Sequence, residues 1–359
     1  MRDTKAGTTA RRRRAVVLIL ALPAGLLAAE GLVRAVDLRA MPLPETEGTT
    51  FRPVDDPVQR FENRPGATQK VTYRGRPGAA PHVVTMRVNA DGFRGPRVVP
   101  TKPAGTLRLA CLGDSHTFGH GVEEEETWPA HLRRILADRG GPSSVEVINA
   151  GVSAYDTPQE RRHLERAVLP LDPDVVILQY YVNDTAIRGV EGAPPDPIVA
   201  LAHPRRGGAV ETLRRWSRLA DVALDRVYRR RSLTVYASER LANYEEESAG
   251  WRAVAEALTE IRDLLAARDV RFVVALFPFL VRDGGHLTSH EAFERVKRFL
   301  AAEGIDFLDP EAAFLDAEVD ALRISDQDYH ANGEGYRLFA REVAEGLVRR
   351  GWLEPERRR

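Results

Sequence analysis

The chain has 359 residues, with 52 Lys+Arg against 52 Asp+Glu, so its formal net charge is zero. With 43% apolar and 29% charged residues it has the make-up of a globular protein, which excludes disorder over the chain as a whole. The balanced charge excludes nucleic acid as the main partner, because binding phosphates needs a surplus of Lys and Arg. The single cysteine, Cys111, excludes an intrachain disulfide framework and a cysteine-based zinc site.

Residues 1–14, a basic tail, carry six Lys/Arg side chains against one acid, and Ala15–Ala29 follows with fifteen residues free of charge. Extending that run to Val36 gives 22 residues, enough for a span at about 1.5 Å per residue. The extension includes Glu30 and Arg34, which lie four apart and so can pair on one helix face. Basic residues before the span place the N-terminus in the cytoplasm and the rest of the chain outside it. A cleaved signal peptide presents the same order of charge and apolarity. Leu26, Leu27 or Val33 stands at the −3 position of each nearby cleavage candidate, which favours an uncleaved, single-pass signal anchor over 15–36. In either case the bulk of the chain is exported, held at the cell membrane or, after cleavage, secreted.

Residues 37–104 read as a linker followed by a short β segment. The stretch 37–69 is rich in Pro and Arg without periodicity, which suits an extended linker, whereas Gln69–Arg97 alternates apolar and polar residues. Two short strands are predicted there, closed by the turn Asn89-Ala90-Asp91-Gly92. Beyond residue 105, strands are predicted at Leu107–Leu112, Val145–Ile148, Val175–Tyr180, Arg271–Phe277 and Ile305–Leu308. Amphipathic helices are predicted around 126–139, 158–168, 250–268, 289–302 and 333–350. Strands separated by helices require right-handed crossovers and a parallel sheet. The predicted fold is therefore α/β, a flavodoxin-like three-layer sandwich on a five-stranded parallel sheet in the order 2-1-3-4-5. A helical insertion at about 186–244 interrupts the rhythm, with PPDP and the Arg-rich stretch Glu211–Arg231. It reads either as a lid at the strand C-terminal edge or as a decoration at the side. Residues 351–359 form a basic tail.

The chemistry-bearing residues follow the strands. LRLACL runs into Gly113-Asp114-Ser115, which exposes a serine at the C-terminal edge of the sheet, where open α/β folds place their sites. The second strand leads into Asn149-Ala150-Gly151 and the third into Tyr181-Val182-Asn183-Asp184. Asp326-Gln327-Asp328-Tyr329-His330 precedes the last helix. A serine, a glycine amide, an asparagine amide and a histidine with nearby carboxylates are the parts that serine acyl transfer needs.

In these blocks the sequence resembles the SGNH hydrolases, or GDSL-type esterases and lipases. They stand in order as GDSHTFGHGV at 113–122, NAGVSAYDT at 149–157, YVNDT at 181–185 and DQDYHANGEGY at 326–336, over about 105–350. VNADGFRGP at 88–96 is similar to the segment that precedes the domain in N-terminally membrane-anchored bacterial members. The resemblance implies Ser115 as nucleophile and His330 as general base. It implies an oxyanion hole made by the Ser115 N–H, the Gly151 N–H and the Asn183 side chain. The family's carboxylate commonly stands three residues before the histidine, where this chain has Gln327. Some branches place it two before, which matches Asp328, with Asp326 as the fallback. The third block commonly opens on glycine, and Tyr181 in its place narrows the approach to the hole or lines the acyl pocket.

No metal and no organic cofactor is implied. The expected activity is a serine-dependent ester hydrolase outside the cytoplasmic membrane, removing acyl groups such as acetyl from carbohydrate or small-molecule esters. One alternative is an O-acyltransferase of envelope or extracellular polysaccharide, which would need a multi-span acyl-donor partner. Another is a non-catalytic scaffold or binding protein of the same fold. Plainer roles are expected of the neighbours. Asp114 suits bonding to loop amides, His116 and His120 suit lining the nucleophile loop, and Asp184 suits bracing the Asn183 loop. Cys111 suits the core, and Glu123–Glu126 suit an acid-rich helix start. The runs Arg229–Arg231 and Arg357–Arg359 suit solvated faces.

Overall fold

The computed structural model describes residues 21–36, 44–73, 80–139, 144–186, 209–224, 226–227, 241–325 and 328–353. The chain divides into two units, one of residues 44–73, 82–196 and 235–359, the other of 1–43, 74–81 and 197–234.

The larger unit begins with five short strands, β1 (Glu45–Gly48), β2 (Phe51–Pro53), β3 (Phe61–Asn63), β4 (Thr68–Tyr73) and β5 (His82–Arg87). β4 and β5 pair antiparallel, as the alternation predicts, with β1 on the other side of β4. The turn that follows is held by Asn89, whose Oδ1 accepts from the N–H of Asp91 and of Phe93. Residues 44–63 are not the extended linker that their composition suggests. They are tied down by polar contacts, which leave no hydrophobic period to read. Buried Asp56 accepts from Arg162 and Arg166, and buried Gln59 donates to the Tyr155 hydroxyl at 3.0 Å.

The central sheet comprises β6 (Thr106–Gly113), β7 (Ser144–Gly151), β8 (Val175–Tyr180), β9 (Arg271–Leu276) and β12 (Asp306–Leu308). A two-residue hairpin, β10 (Arg282–Asp283) and β11 (His286–Leu287), lies between β9 and β12. All the central pairings are parallel, and the spatial order β7-β6-β8-β9-β12 is the predicted 2-1-3-4-5. Every residue of β6 and of β8 is buried, as expected of central strands covered on both faces. Cys111 lies among them, wholly buried.

The helices are α1 (Ser115–Phe118), α2 (Trp128–Asp138), α3 (Thr157–His163), α4 (Ala249–Ala266), α5 (His290–Ala302), α6 (Glu311–Leu315) and α7 (Gly333–Arg349) in this unit. α2 packs on α7 through the edge-on rings of Trp128 and Phe339, and α4 meets α5 through Trp251 and Phe299. Caps fix the starts: Asn332 Oδ1 accepts from Glu334 and Gly335 at α7, and Asp156 accepts from Gln159 at α3. Glu123 and Glu126 form a reciprocal capping box just before α2, the acid-rich helix start read from the sequence.

In the smaller unit a helix runs over 21–35 and another over Ala209–Trp216. Glu30 pairs with Arg34, as their spacing predicts, and also accepts from Ser217 Oγ at 2.8 Å and from the N–H groups of Arg218 and Leu219. Among the described residues no helix is long and apolar enough to cross a membrane. The first part of the expected anchor, residues 15–20, lies outside the described residues, as do 187–208 and 228–240 of the insertion read as a lid.

Candidate active site

Three strand ends and the loop before α7 converge at the C-terminal edge of the sheet. β6 ends at Gly113, and Asp114 then caps α1, its Oδ1 accepting from the His116 N–H at 2.9 Å. This turn puts Ser115 at the first position of α1, half-buried. Gly119 ends α1 in the left-handed region at φ 81°, and a Cβ there would strike Thr127 Cγ2 at 2.4 Å.

His330 reaches Ser115 from the last loop. Its Nε2 lies 2.8 Å from Ser115 Oγ, and its Nδ1 lies 2.6 Å from Asp328 Oδ1. With the proton on Nδ1, the Ser115 hydroxyl donates to Nε2 and Nδ1–H donates to Asp328. The His330 backbone N–H also donates to Asp328 Oδ1 at 3.1 Å. Burial works against charge on the His330 ring, yet the Asp328 carboxylate outweighs it and holds the imidazole above its ordinary 6.5. Burial alone would raise Asp328, but the charge and hydrogen bonds of His330 hold it well below the usual carboxylate range. Asp326 lies outside the described residues.

Asn183 follows β8 in a turn closed by the Asp184 N–H donating to the Tyr181 carbonyl at 3.0 Å. Buried Asp184 braces this turn, accepting from the Tyr181 N–H and from Thr157 Oγ1. Tyr181 is 6% exposed and packs against His116 at 4.2 Å between ring centroids, with Phe277 and Phe279 beyond. His116 stacks on Phe277 and leans on His330 at 4.9 Å, and His120 lies 4.8 Å from His330. Burial keeps both rings neutral, holding His120 at about 4 and His116 well below 6.5. Burial also pushes Asp114 up to about 6.

Gly151 is not placed as expected. Its N–H donates to Asn149 Oδ1 at 3.1 Å, so that amide is already occupied. The glycine serves a close approach instead: a Cβ there would come within 2.2 Å of the Phe118 N and 2.6 Å of the Thr117 carbonyl carbon. In the same loop Ala154 stands at φ 70°, a strained position for a residue with a Cβ, and its N–H has no acceptor among the described residues.

Beyond the resemblance of 88–96, no sequence pattern points to the contacts that residues 44–97 bring to this edge. Arg94, 2% exposed, donates to the carbonyls of Phe118, Gly119 and Val122, so it gathers the end of α1 and the loop after it. Burial pulls its guanidinium down to about 10, which leaves it charged at neutral pH. Asn63 Nδ2 donates to the Gly151 carbonyl at 2.9 Å. The Tyr73 hydroxyl donates to Asp328 Oδ2 at 2.9 Å. These contacts cross long sequence separations and carry no local pattern.

Among the described residues two groups bring three potential metal ligands within 4.8 Å of one another. One is His120, Asp328 and His330, where Asp328 and His330 already bond to each other. The other is His286, His290 and Glu311, where His290 Nδ1 lies 2.6 Å from Glu311 Oε2.

The model of the GDSL-like lipase/acylhydrolase family matches residues 111–338, which include the loops that carry Ser115, Gly151, Asn183 and His330. The chain belongs to that family. Its central sheet and helices form the SGNH hydrolase fold, and its edge carries the serine, histidine and aspartate arrangement of an ester hydrolase. It is similar to an arylesterase of Vibrio mimicus, 31% identical over 93 residues, a match that spans 26% of this chain and 44% of that protein. Among solved structures it is similar to a lipase/acylhydrolase from Enterococcus faecalis, at 17% identity and TM-score 0.42 over 70% of this chain and 99% of that one. It is also similar to a G-D-S-L lipolytic protein from Veillonella parvula, at 17% identity and TM-score 0.40 over 68% and 99%.

Proposed function

We propose that the protein is a serine ester hydrolase, anchored to the membrane by its N-terminal segment, that removes short acyl groups such as acetyl from carbohydrate or small-molecule esters outside the cytoplasm. The observation that carries the reading is the unbroken line of hydrogen bonds from Ser115 through His330 to Asp328. Ser115 Oγ attacks the ester carbonyl while its proton passes to His330 Nε2. Asp328 keeps the ring in the Nδ1–H tautomer and stabilises the imidazolium. The tetrahedral oxyanion is met by the Ser115 N–H and the Asn183 side chain. With the Gly151 amide engaged by Asn149, the donor from the second loop moves to Ala154, whose strained turn leaves its N–H unpaired. The intermediate collapses, the C–O bond breaks, and the alcohol leaves with the proton from His330. Water, deprotonated by His330, then releases the acid from the acyl-enzyme.

A short acyl group fits the crowding beside Ser115, where Tyr181, His116 and Phe277 pack ring against ring. The likeness to an arylesterase supports ester chemistry over binding alone. The charged-then-apolar order of residues 1–36, with Leu22, Leu26, Leu27 and Leu32 exposed on the helix, supports the anchor.

The test measures acetate release from an O-acetylated oligosaccharide by the full-length chain in detergent, with and without an acceptor sugar. Release by the wild type and none by Ser115→Ala is the expected result. Release that survives the substitution would overturn the nucleophile, and acetyl appearing on the acceptor in place of free acetate would turn the reading to an O-acyltransferase. Location is read separately. A phosphatase reporter active only outside the cytoplasm, fused after Arg359, is expected to be active, and an inactive fusion would refute the orientation.

A further inference from the structure

The residues that complete the relay are not all inside the segment that the family model matches. Tyr73 closes β4, in the strands that precede that segment, and is 7% exposed. Its ring sits in a small core with Val71, Val84, Met86, Val88 and Phe118, against Ile324, so its position is fixed by apolar packing on both strands and on α1. From there its hydroxyl reaches Asp328 Oδ2. The other carboxylate oxygen, Oδ1, is taken by His330 Nδ1 and the His330 N–H. Both oxygens are therefore held, and the carboxylate cannot turn about its Cβ–Cγ bond without breaking a bond on each side.

The nucleophile loop makes room for this contact. Gly121 stands at φ 78°, and a Cβ there would come within 2.5 Å of the Tyr73 Oη and 2.2 Å of Ile324 Cδ1. The loop thus passes Tyr73 at a distance that admits only glycine.

We infer that Tyr73 is a positioning residue of the relay, a phenol supplied by the N-terminal β segment that fixes Asp328 and tunes its hold on His330. The inference rests on the roles proposed for Ser115, His330 and Asp328. Burial and the Asp328 charge push the phenol's own titration well above its ordinary range, so Tyr73 acts as a donor only. Its hydrogen bond draws charge from the carboxylate. That favours the state with His330 neutral, in which Asp328 bears its charge with the weaker partner, over the imidazolium state. Tyr73 therefore lowers the His330 pKa relative to a carboxylate left to His330 alone, and it also blocks the turn of Asp328 that would loosen the tautomer.

The experiment uses the full-length protein and two readouts, turnover of p-nitrophenyl acetate and the rate at which a fluorophosphonate labels Ser115, each followed against pH. Tyr73→Phe removes only the hydroxyl and keeps the packed ring. It is expected to lower kcat and the labelling rate about tenfold, the scale of one hydrogen bond to a charged group, with KM unchanged and the acid limb of the profile moved to higher pH. Incorporation of 3,5-difluorotyrosine at position 73, a stronger donor of the same shape, is expected to move the acid limb to lower pH. A purely structural role for Tyr73 would lower the melting temperature and leave both limbs in place. A folded Tyr73→Phe that labels at the wild-type rate with the wild-type acid limb would overturn the inference, and so would a fluorotyrosine protein whose limb does not move, even if Tyr73→Phe does not fold. Ser115→Ala is run beside them. If it still turns over, the functional reading itself falls, whereas Ser115 dependence with an indifferent position 73 removes only the role of Tyr73.

Discussion

The two edges of the central sheet treat buried polarity differently, with Thr106 Oγ1 an unpaired atom of β6 at the N-terminal edge against a cluster of such atoms at the C-terminal edge. At the N-terminal edge Arg108 sits fully buried inside β6, and it is fully paired. Its Nε donates to Glu146 at 2.7 Å, its Nη groups donate to the carbonyls of Leu171 and Val99, and Asp174 accepts from the Arg108 N–H and from Lys102. At the C-terminal edge buried polar atoms are left without partners: Asn183 Oδ1, Asp184 Oδ1, His116 Nδ1 and both carboxylate oxygens of Glu160. A buried polar group without its bonds is costly, and such groups persist where chemistry rather than stability sets the arrangement. The N-terminal edge holds the sheet together, and the C-terminal edge spends stability on a prepared site.

Substitutions at the two edges separate these roles. The largest effect is expected at Ser115, where alanine should remove at least about a thousandfold of the turnover with no change in melting temperature, checked by esterase assay and calorimetry. Asn183→Ala should lower kcat by about 10²–10³, the worth of one oxyanion donor, again without unfolding the chain. A wild-type rate in folded protein would remove Asn183 from the site. Arg108→Ala should do the reverse. Leaving its buried partners unpaired is expected to cost about 3–5 kcal/mol in denaturant unfolding, while the fluorophosphonate labelling rate at low temperature stays at the wild-type value. Loss of labelling by a still-folded Arg108→Ala would break the division between the edges.

Two smaller effects follow from titration. The base must be neutral to accept the Ser115 proton, and Asp328 raises the His330 pKa, so activity should fall with decreasing pH along a limb centred above 6.5. A limb at or below 6.5 would contradict the pairing. Glu160 is held well above its ordinary 4.5 by burial and then by the charges of Asp184 and Asp114. The folded state therefore keeps this proton after the unfolded state has lost it, and stability should decline as pH rises from 4.5 towards the folded value. Glu160→Gln should flatten that decline and raise the melting temperature at pH 8. An unchanged pH dependence would mean that Glu160 is not the group that strains this edge.

The sequence was most legible where periodicity governs. The central strands are continuous apolar runs and the helices amphipathic, so a parallel sheet follows from the pattern, and the common flavodoxin-like order 2-1-3-4-5 is the one observed. The meeting of Ser115 and His330 is legible because the topology brings their loops to one edge, whereas the choice of Asp328 as the partner carboxylate rests on the resemblance to the SGNH hydrolases. Gly151 was misread because a glycine in such a loop fits two demands, a donor amide and a close approach, and the packing of α1 over it decides for the second. Arg94, Asn63 and Tyr73 were not legible. Each reaches the site across a separation that no local pattern encodes, and Tyr73 reads in sequence only as an alternating strand residue. Residues 44–63 have the sequence character of a linker because polar contacts hold them, and polar contacts have no period.

The most direct test of the central claim is the intact mass of the full-length protein after reaction with a fluorophosphonate, with the adduct located by peptide sequencing. One adduct on Ser115, absent in Ser115→Ala and formed at least about a hundredfold more slowly in His330→Ala, is the expected result. An adduct on another residue, or labelling of Ser115 that does not depend on His330, would contradict the account.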